Sequence, residues 1–208
     1  FKSFIFFEKE MKNIDLLIAT GNDNTADIFN SSYINYNKII RRNRTSVAIL
    51  DGLETNHEYK KLAYDIHMYF GLGCRNVSKL FIPRSFDIHN LKPLLNDFFK
   101  SSSNINYTDN YNYQKSIFHI NSTPFIDLEY LLFIESKEIN SPVSVVKYEY
   151  YDNISSVKKI LKTHKNQIQC VVSHVPNIEE SIPFGESQTP TLYDFPDGVD
   201  VMKFIVSN

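Results

Sequence analysis

The sequence predicts an α/β fold, and three observations carry that reading. Short apolar runs of strand length recur along the chain, at residues 15–20 (DLLIAT), 46–50 (SVAIL), 79–82 (KLFI) and 167–173. Between them lie stretches whose apolar residues repeat at helical spacing, at 56–70 and 154–164. Glycine or proline marks the joins, as at Gly21, Gly52 and Pro83. Strands that alternate with helices in this way build a sheet with crossover helices on its faces.

Residues 3–7 read as a buried strand and 8–13 as a short polar turn or helix. After the strand at 15–20, Gly21-Asn22-Asp23-Asn24-Thr25 leads into Ala26, Ile28 and Phe29 at helical spacing. A strand, a glycine turn and a helix start can receive a phosphate on free N–H groups, although one glycine is no dinucleotide fingerprint. Lys38, Arg41, Arg42 and Arg44 form the densest basic cluster, which reads either as a phosphate contact or as a solvated face. Asn56 caps a helix that runs to Phe70 with Tyr59, Leu62, Ala63 and Ile66 on one side. Residues 87–99 form an amphipathic helix and 101–116 a long tyrosine-dotted loop. Strands come next at 117–120, 131–134 and 143–148, then a helix at 154–164, a buried strand holding Cys170, and an apolar strand at 199–206 that needs a partner edge.

The 208 residues suffice for one large domain or two small ones. Lys plus Arg is 22 against 24 for Asp plus Glu, a net charge of −2, which leaves no basic excess for nucleic acid. Two cysteines far apart give neither a disulfide framework nor a Cys-x-x-Cys metal pair, and the six histidines fall at no metal-ligand spacing. No apolar run is long enough for a membrane span and no basic leader with a cleavage site is present, so a cytoplasmic location is expected. The sequence starts at Phe1 and enters a strand-like run at once, which reads as the C-terminal part of a longer chain.

The chemistry centres on Cys74. The segment Phe70-Gly71-Leu72-Gly73-Cys74 places a thiol just after two glycines, where the backbone can turn sharply and leave the side chain open to a ligand. The thiolate is the attacking species, and nearby main-chain N–H groups at a helix start, with Arg75 and Lys79, would favour it. A small buried hydrophobe is the other reading of a lone cysteine. His67 could be a base seven residues away, but a histidine on a helix flank is more often structural.

The runs 18–25 (IATGNDNT), 46–52, 70–80 (FGLGCRNVSKL), Pro183-Phe184-Gly185 and 197–204 (DGVDVMKF) resemble, in the right order and over almost the whole chain, the acyl-CoA reductases of bacterial luminescence systems, the LuxC family, within the aldehyde dehydrogenase superfamily. The resemblance implies that Cys74 is the nucleophile that forms the acyl-enzyme. Gly21 and Asn22 match the turn beside the nicotinamide, and Glu138, in 138–143 (EINSPV), matches the glutamate that holds the nicotinamide ribose. Pro183, Phe184 and Gly185 match a turn near the active-site entrance, more structural than chemical.

Two departures are informative. Where ordinary aldehyde dehydrogenases carry a water-activating glutamate this chain has Ile49, so a thioester there is protected from hydrolysis. The superfamily's side-chain oxyanion donor and most of its cofactor-binding strands would precede Phe1, which implies that this segment alone is inactive. The implied fold is aldehyde dehydrogenase-like: the end of the cofactor domain over 1–52, a catalytic domain over 53–190 and a pairing strand within 191–208. The implied activity is NADPH-dependent reduction of long-chain fatty acyl-CoA to fatty aldehyde. A homo-oligomer and a fatty-acid reductase complex are the implied assemblies. An NAD-dependent aldehyde dehydrogenase and a non-catalytic, truncated binding protein are the alternatives.

Overall fold

A computed structural model describes residues 6–93, 95 and 104–207, and the chain divides into two units, 1–43 with 194–208 and 44–193. In the first unit, β1 (Leu16–Thr20) and β2 (Asn37–Arg41) pair in parallel, joined by helix α1 (Asp23–Ser32). Asn22 caps α1, its side-chain oxygen accepting the Thr25 N–H at 2.8 Å, so the expected strand, glycine turn and helix are present. Of the basic cluster of the sequence, Lys38 and Arg41 lie in β2, Arg42 follows it and Arg44 belongs to the second unit: Lys38 donates to the Tyr33 carbonyl at 2.7 Å, and Arg42 pairs with Asp27 at 2.5 Å. Helix α5 (Val201–Ser207) replaces the strand expected at 199–206. Asp200 starts it by accepting the Lys203 N–H at 2.9 Å, and Asp197, just before, lies 3.9 Å from Arg41. Of the strand expected at 3–7, residues 3–5 lie outside the described residues and residues 6 and 7 are not in a strand.

The second unit is a seven-stranded sheet of order β5-β6-β7-β4-β3-β8-β9, parallel except for β5 against β6. Its strands are β3 (Thr45–Ile49), β4 (Val77–Pro83), β5 (Ile126–Asp127), β6 (Leu132–Glu135), β7 (Val145–Tyr151), β8 (Ile168–Val172) and β9 (Ser181–Ile182). The central strands read as unbroken apolar runs because both faces are covered. Ala48, Leu50, Leu80 and Ile82 pack with Leu62, Ala63 and Ile66 of α2 (Asn56–His67) on one face. Val47, Ile49 and Phe81 pack with Val157 of α4 (Ile154–Thr163) on the other. The result is a three-layer α/β arrangement centred on β3 and β4.

Several local expectations are corrected. Thr55, not Asn56, caps α2, through a capping box with Glu58, and the helix stops at His67. The chain then makes a tight 3-10 turn over Met68–Gly71, in which Tyr69, Phe70 and Gly71 have φ of 53°, 60° and 72°. A 3-10 turn over Ile88–Leu91 begins the helix expected at 87–99, of which 94 and 96–99 lie outside the described residues. From residue 105 on, the loop expected at 101–116 and the strand at 117–120 are one helix, α3 (Ile105–Ile120), capped by Asn104, while 101–103 lie outside the described residues. It buries Tyr107, Tyr111 and Phe118, whose spacing is helical. Cys170 is buried in β8 as expected.

Candidate active site

Cys74 lies between the 3-10 turn and β4, with an exposed side chain and no disulfide. Two residues, Asn76 and Ser46, fix the backbone around it. The turn closes through the Asn76 N–H on the Gly73 carbonyl at 3.0 Å. The Asn76 side chain, itself buried, accepts the Gly73 N–H at 2.8 Å and donates to the carbonyls of Asp65 (3.1 Å), Ile66 (3.3 Å) and Met68 (2.8 Å). One amide therefore caps the end of α2 and shapes the thiol turn together. Ser46, at the start of β3, donates to the Cys74 carbonyl at 3.0 Å and accepts the Cys170 N–H at 3.1 Å.

Gly73 and Gly71 are needed here for separate reasons. A Cβ on Gly73 would lie 3.0 Å from Asn76 Oδ1, and Gly71 occupies the left-handed region. Among the described residues the Cys74 N–H has no protein acceptor, which leaves it available to an oxyanion. Tyr69 and Leu72, next to the thiol in sequence, are 63% and 72% exposed.

The cations expected to favour the thiolate are committed elsewhere. Lys79 is fully buried on β4, its ammonium 3.0 Å from Glu149 and bonded to the Ser136 carbonyl. Arg75 donates from Nε to the Ser187 carbonyl. The element after Cys74 is the strand β4, so the expected helix start is absent at this point. His67 is buried and meets Phe70 and Tyr107 edge to face, with ring centroids 5.7 and 4.8 Å away. Burial lowers its pKa to about 4, so the ring is neutral at physiological pH. A cavity of about 30 Å³ beside the turn, lined by His67, Phe70, Gly71, Asn76, Tyr107 and Pro142, has room for water but not for a fatty chain.

Glu138 lies on the connection between β6 and β7 in the same unit as Cys74, with its carboxylate 78% exposed. Its partner is Lys147, whose Nζ lies 2.5 Å away and also donates to the Asn140 carbonyl at 2.6 Å. The hydrogen bond and charge of Lys147 hold the Glu138 carboxyl below its ordinary value. Gly21 and Asn22 belong to the other unit, at the β1–α1 turn. A Cβ on Gly21 would meet the Thr25 side chain at 2.7 Å, and the Gly21 N–H is spent on the Arg41 carbonyl. Among the described residues the N–H groups of Asp23 and Asn24 at the helix start have no protein acceptor. Taken separately, the turn could receive a phosphate and the Glu138 carboxylate a ribose hydroxyl.

Ile49 is fully buried between the sheet and α4. The carboxylates near it, which the sequence did not single out as a group, belong to a separate cluster. His174 Nδ1 lies 2.9 Å from Glu58 and Nε2 lies 3.2 Å from Asp51 and 3.9 Å from Glu54. Asp51, Glu54 and His174 offer ligand atoms within 4.8 Å of one another. With both ring nitrogens facing carboxylates, however, the arrangement suits an imidazolium that donates twice. Burial works against that charge, but the bonds to Asp51 and Glu58 outweigh it and raise the His174 pKa. Ser46, Asn76 and Asp65 were also not legible as site residues.

No protein-family model matches the chain, and no curated protein matches it. Solved structures match at the level of the fold. An aldehyde dehydrogenase of Pseudomonas syringae, a cysteine-to-alanine mutant solved with NAD+ and octanal, matches with a TM-score of 0.56 over 83% of this chain and 47% of its own, at 9% identity. An NAD-dependent aldehyde dehydrogenase of Sinorhizobium meliloti matches with a TM-score of 0.59, over 81% of this chain and 40% of its own, at 10% identity. An NADP-dependent glyceraldehyde-3-phosphate dehydrogenase of Bacillus halodurans, complexed with NADP, gives 0.56, 77%, 44% and 11%. The chain thus has the fold of part of an aldehyde dehydrogenase and spans less than half the length of these structures. Among the described residues no helix is long and apolar enough to cross a membrane.

Proposed function

We propose that this chain supplies the thiol half of an acyl-CoA reductase, a member of the LuxC family, that converts fatty acyl-CoA to fatty aldehyde. The observation that carries the reading is an exposed thiol at Cys74 on a turn fixed by Ser46 and Asn76, with the Cys74 N–H open to an oxygen beside it.

The Cys74 thiolate attacks the thioester carbonyl, a bond from its sulfur to the acyl carbon forms, and the bond to the CoA sulfur breaks. CoA leaves as a thiolate and takes up the proton that Cys74 gave to solvent. The Cys74 N–H stabilises the oxyanion of this step. A bound NADPH would supply the hydride that the acyl carbon takes up; by the resemblance, Gly21 and Asn22 in one unit and, separately, Glu138 in the other are the residues of this chain that would contact it. Hydride addition leaves a thiohemiacetal alkoxide on Cys74, whose C–S bond breaks to release the aldehyde and regenerate the Cys74 thiolate. Ile49 at the position of the water-activating glutamate supports reduction over hydrolysis, because no carboxylate stands there to deprotonate water.

Oxidation of aldehydes to acids with NAD is the second reading, favoured by the kinds of enzyme that share the fold. We further propose a cytoplasmic protein that assembles with copies of itself and with partners of a fatty-acid reductase complex.

The test is the intact mass of the whole protein after brief incubation with a fatty acyl-CoA and no reductant, beside Cys74→Ala. A gain of one acyl group in the parent and none in the variant, although Cys170 remains, is the expected result. An unacylated Cys74 would overturn the reading, and aldehyde oxidation would be assayed next.

A further inference from the structure

Asp65, on α2, is a fully buried carboxylate that the chemistry above does not use. It reaches into the segment after the Pro183-Phe184-Gly185 turn, where Oδ2 accepts the Gly185 N–H at 2.6 Å and Oδ1 accepts the Ser187 N–H at 3.1 Å. Ser187 is fully buried, and its carbonyl accepts from Arg75 Nε. Both main-chain polar groups of Ser187 are thus held by the polypeptide that leads into and out of the thiol turn. The ring closes through Asn76, next to Arg75, which donates to the Asp65 carbonyl at 3.1 Å.

Taking a carboxylate out of water is unfavourable unless hydrogen bonds replace the lost hydration; the two main-chain N–H groups offset part of that cost here, and burial still raises the Asp65 pKa. A shared anchor for two loops fixes their spacing more tightly than separate anchors would, since neither can shift without breaking a charge-assisted bond. Cys74 is the residue next to Arg75, and Glu186 and Gln188 are the residues on either side of Ser187.

We propose that Asp65 and Arg75 are positioning residues that latch segment 185–188 against the thiol turn, making it a wall that sets which acyl groups reach Cys74. The proposal rests on reading Cys74 as the nucleophile. The wall acts on long chains running past the thiol and leaves a small reagent almost unaffected.

The test compares alkylation of Cys74 by N-ethylmaleimide and N-hexylmaleimide, which share one reaction and differ in length. Labelling is read by peptide mass so that Cys170 is scored separately. In Asp65→Asn, one acceptor oxygen is replaced by a donor facing an N–H; in Arg75→Gln, the donor to Ser187 is shortened. The ratio of hexyl to ethyl rates is expected to rise at least fivefold in both variants while the ethyl rate stays within twofold, with Arg75→Lys between Arg75→Gln and the parent. An unchanged ratio in folded variants would overturn the proposal. So would a common change in both rates, the mark of general loosening. Should Asp65→Asn fail to fold, Arg75→Gln decides alone. Acylation by acyl-CoA in the parent, measured in parallel, reports on the catalytic reading independently of this ratio.

Discussion

Asn76 reaches back across Cys74 to Gly73, its Oδ1 2.8 Å from the Gly73 nitrogen, so the residues bounding the thiol turn are bonded by side chain as well as by backbone. The same amide caps three carbonyls at the end of α2. Asn76→Ala would strand those groups, and the loss is expected to be about 2–4 kcal/mol. The urea midpoint checks it. Asn76→Asp, which keeps acceptors but removes the donors, should be no better than Ala.

Gly71 is predicted to resist substitution. Its φ of +72° lies in the left-handed region, and Gly71→Ala should cost about 1–2 kcal/mol, measured by thermal or urea unfolding. The new Cβ would sit at ordinary contact, 3.4 Å, from the Ile66 carbonyl, so the loss comes from the backbone rather than from a clash.

His67 should make the protein sensitive to acid. Its pKa falls from 6.5 to about 4 through burial, so below pH 6.5 the unfolded chain binds a proton that the folded chain refuses. Its contribution is complete above pH 6.5 and is lost as pH falls toward about 4, by roughly 3 kcal/mol. Stability measured across that window in the parent and in His67→Gln should converge at the acid end.

His174 carries the opposite sign. Its pKa is raised by the bonds to Asp51 and Glu58, which overcome burial, so the folded chain holds the proton more tightly. The stabilisation is present in full below pH 6.5 and is lost as pH rises through the raised value. Denaturation midpoints from pH 6 to pH 9 should fall in the parent, and His174→Gln should flatten that part of the profile.

Glu138 pairs with Lys147 yet is mostly exposed, and an exposed pair contributes little. Glu138→Gln is therefore expected to change stability by less than about 1 kcal/mol. If its carboxylate holds the cofactor ribose, the same variant should weaken NADPH binding severalfold, read by fluorescence titration of the whole protein.

How much of this was legible in the sequence depended on what kind of contact each residue makes. The runs at 15–20, 46–50, 79–82 and 167–173 all hold strands, and in the central sheet both faces are covered, which leaves a continuous apolar signal. Helix α3 was hidden by its polar residues, although Tyr107, Tyr111 and Phe118 already stood at helical spacing behind the Asn104 cap. At 199–206 the apolar density suggested a strand, while Asp200 ahead of it was the overlooked helix start. Cys74 was conspicuous through its glycines. Asp65, Ser46 and Asn76 were not, because each acts on main-chain groups far away in sequence and such contacts leave no local pattern.

The place of β3 between β4 and β8 has a consequence for synthesis. Ala48 pairs with Leu80 soon after both leave the ribosome, but its other neighbour, Val172, and the Ser187 carbonyl that Arg75 holds come far later. Arg75 and Ser187 are 112 residues apart. At about 5–20 residues per second, a nascent chain carries the Cys74 turn for roughly ten seconds before its second anchor emerges. During that interval segment 185–188 is not yet there to stand beside the thiol, so a long-chain electrophile that the finished protein would turn away can reach it, while a small reagent meets the same exposed thiol before and after.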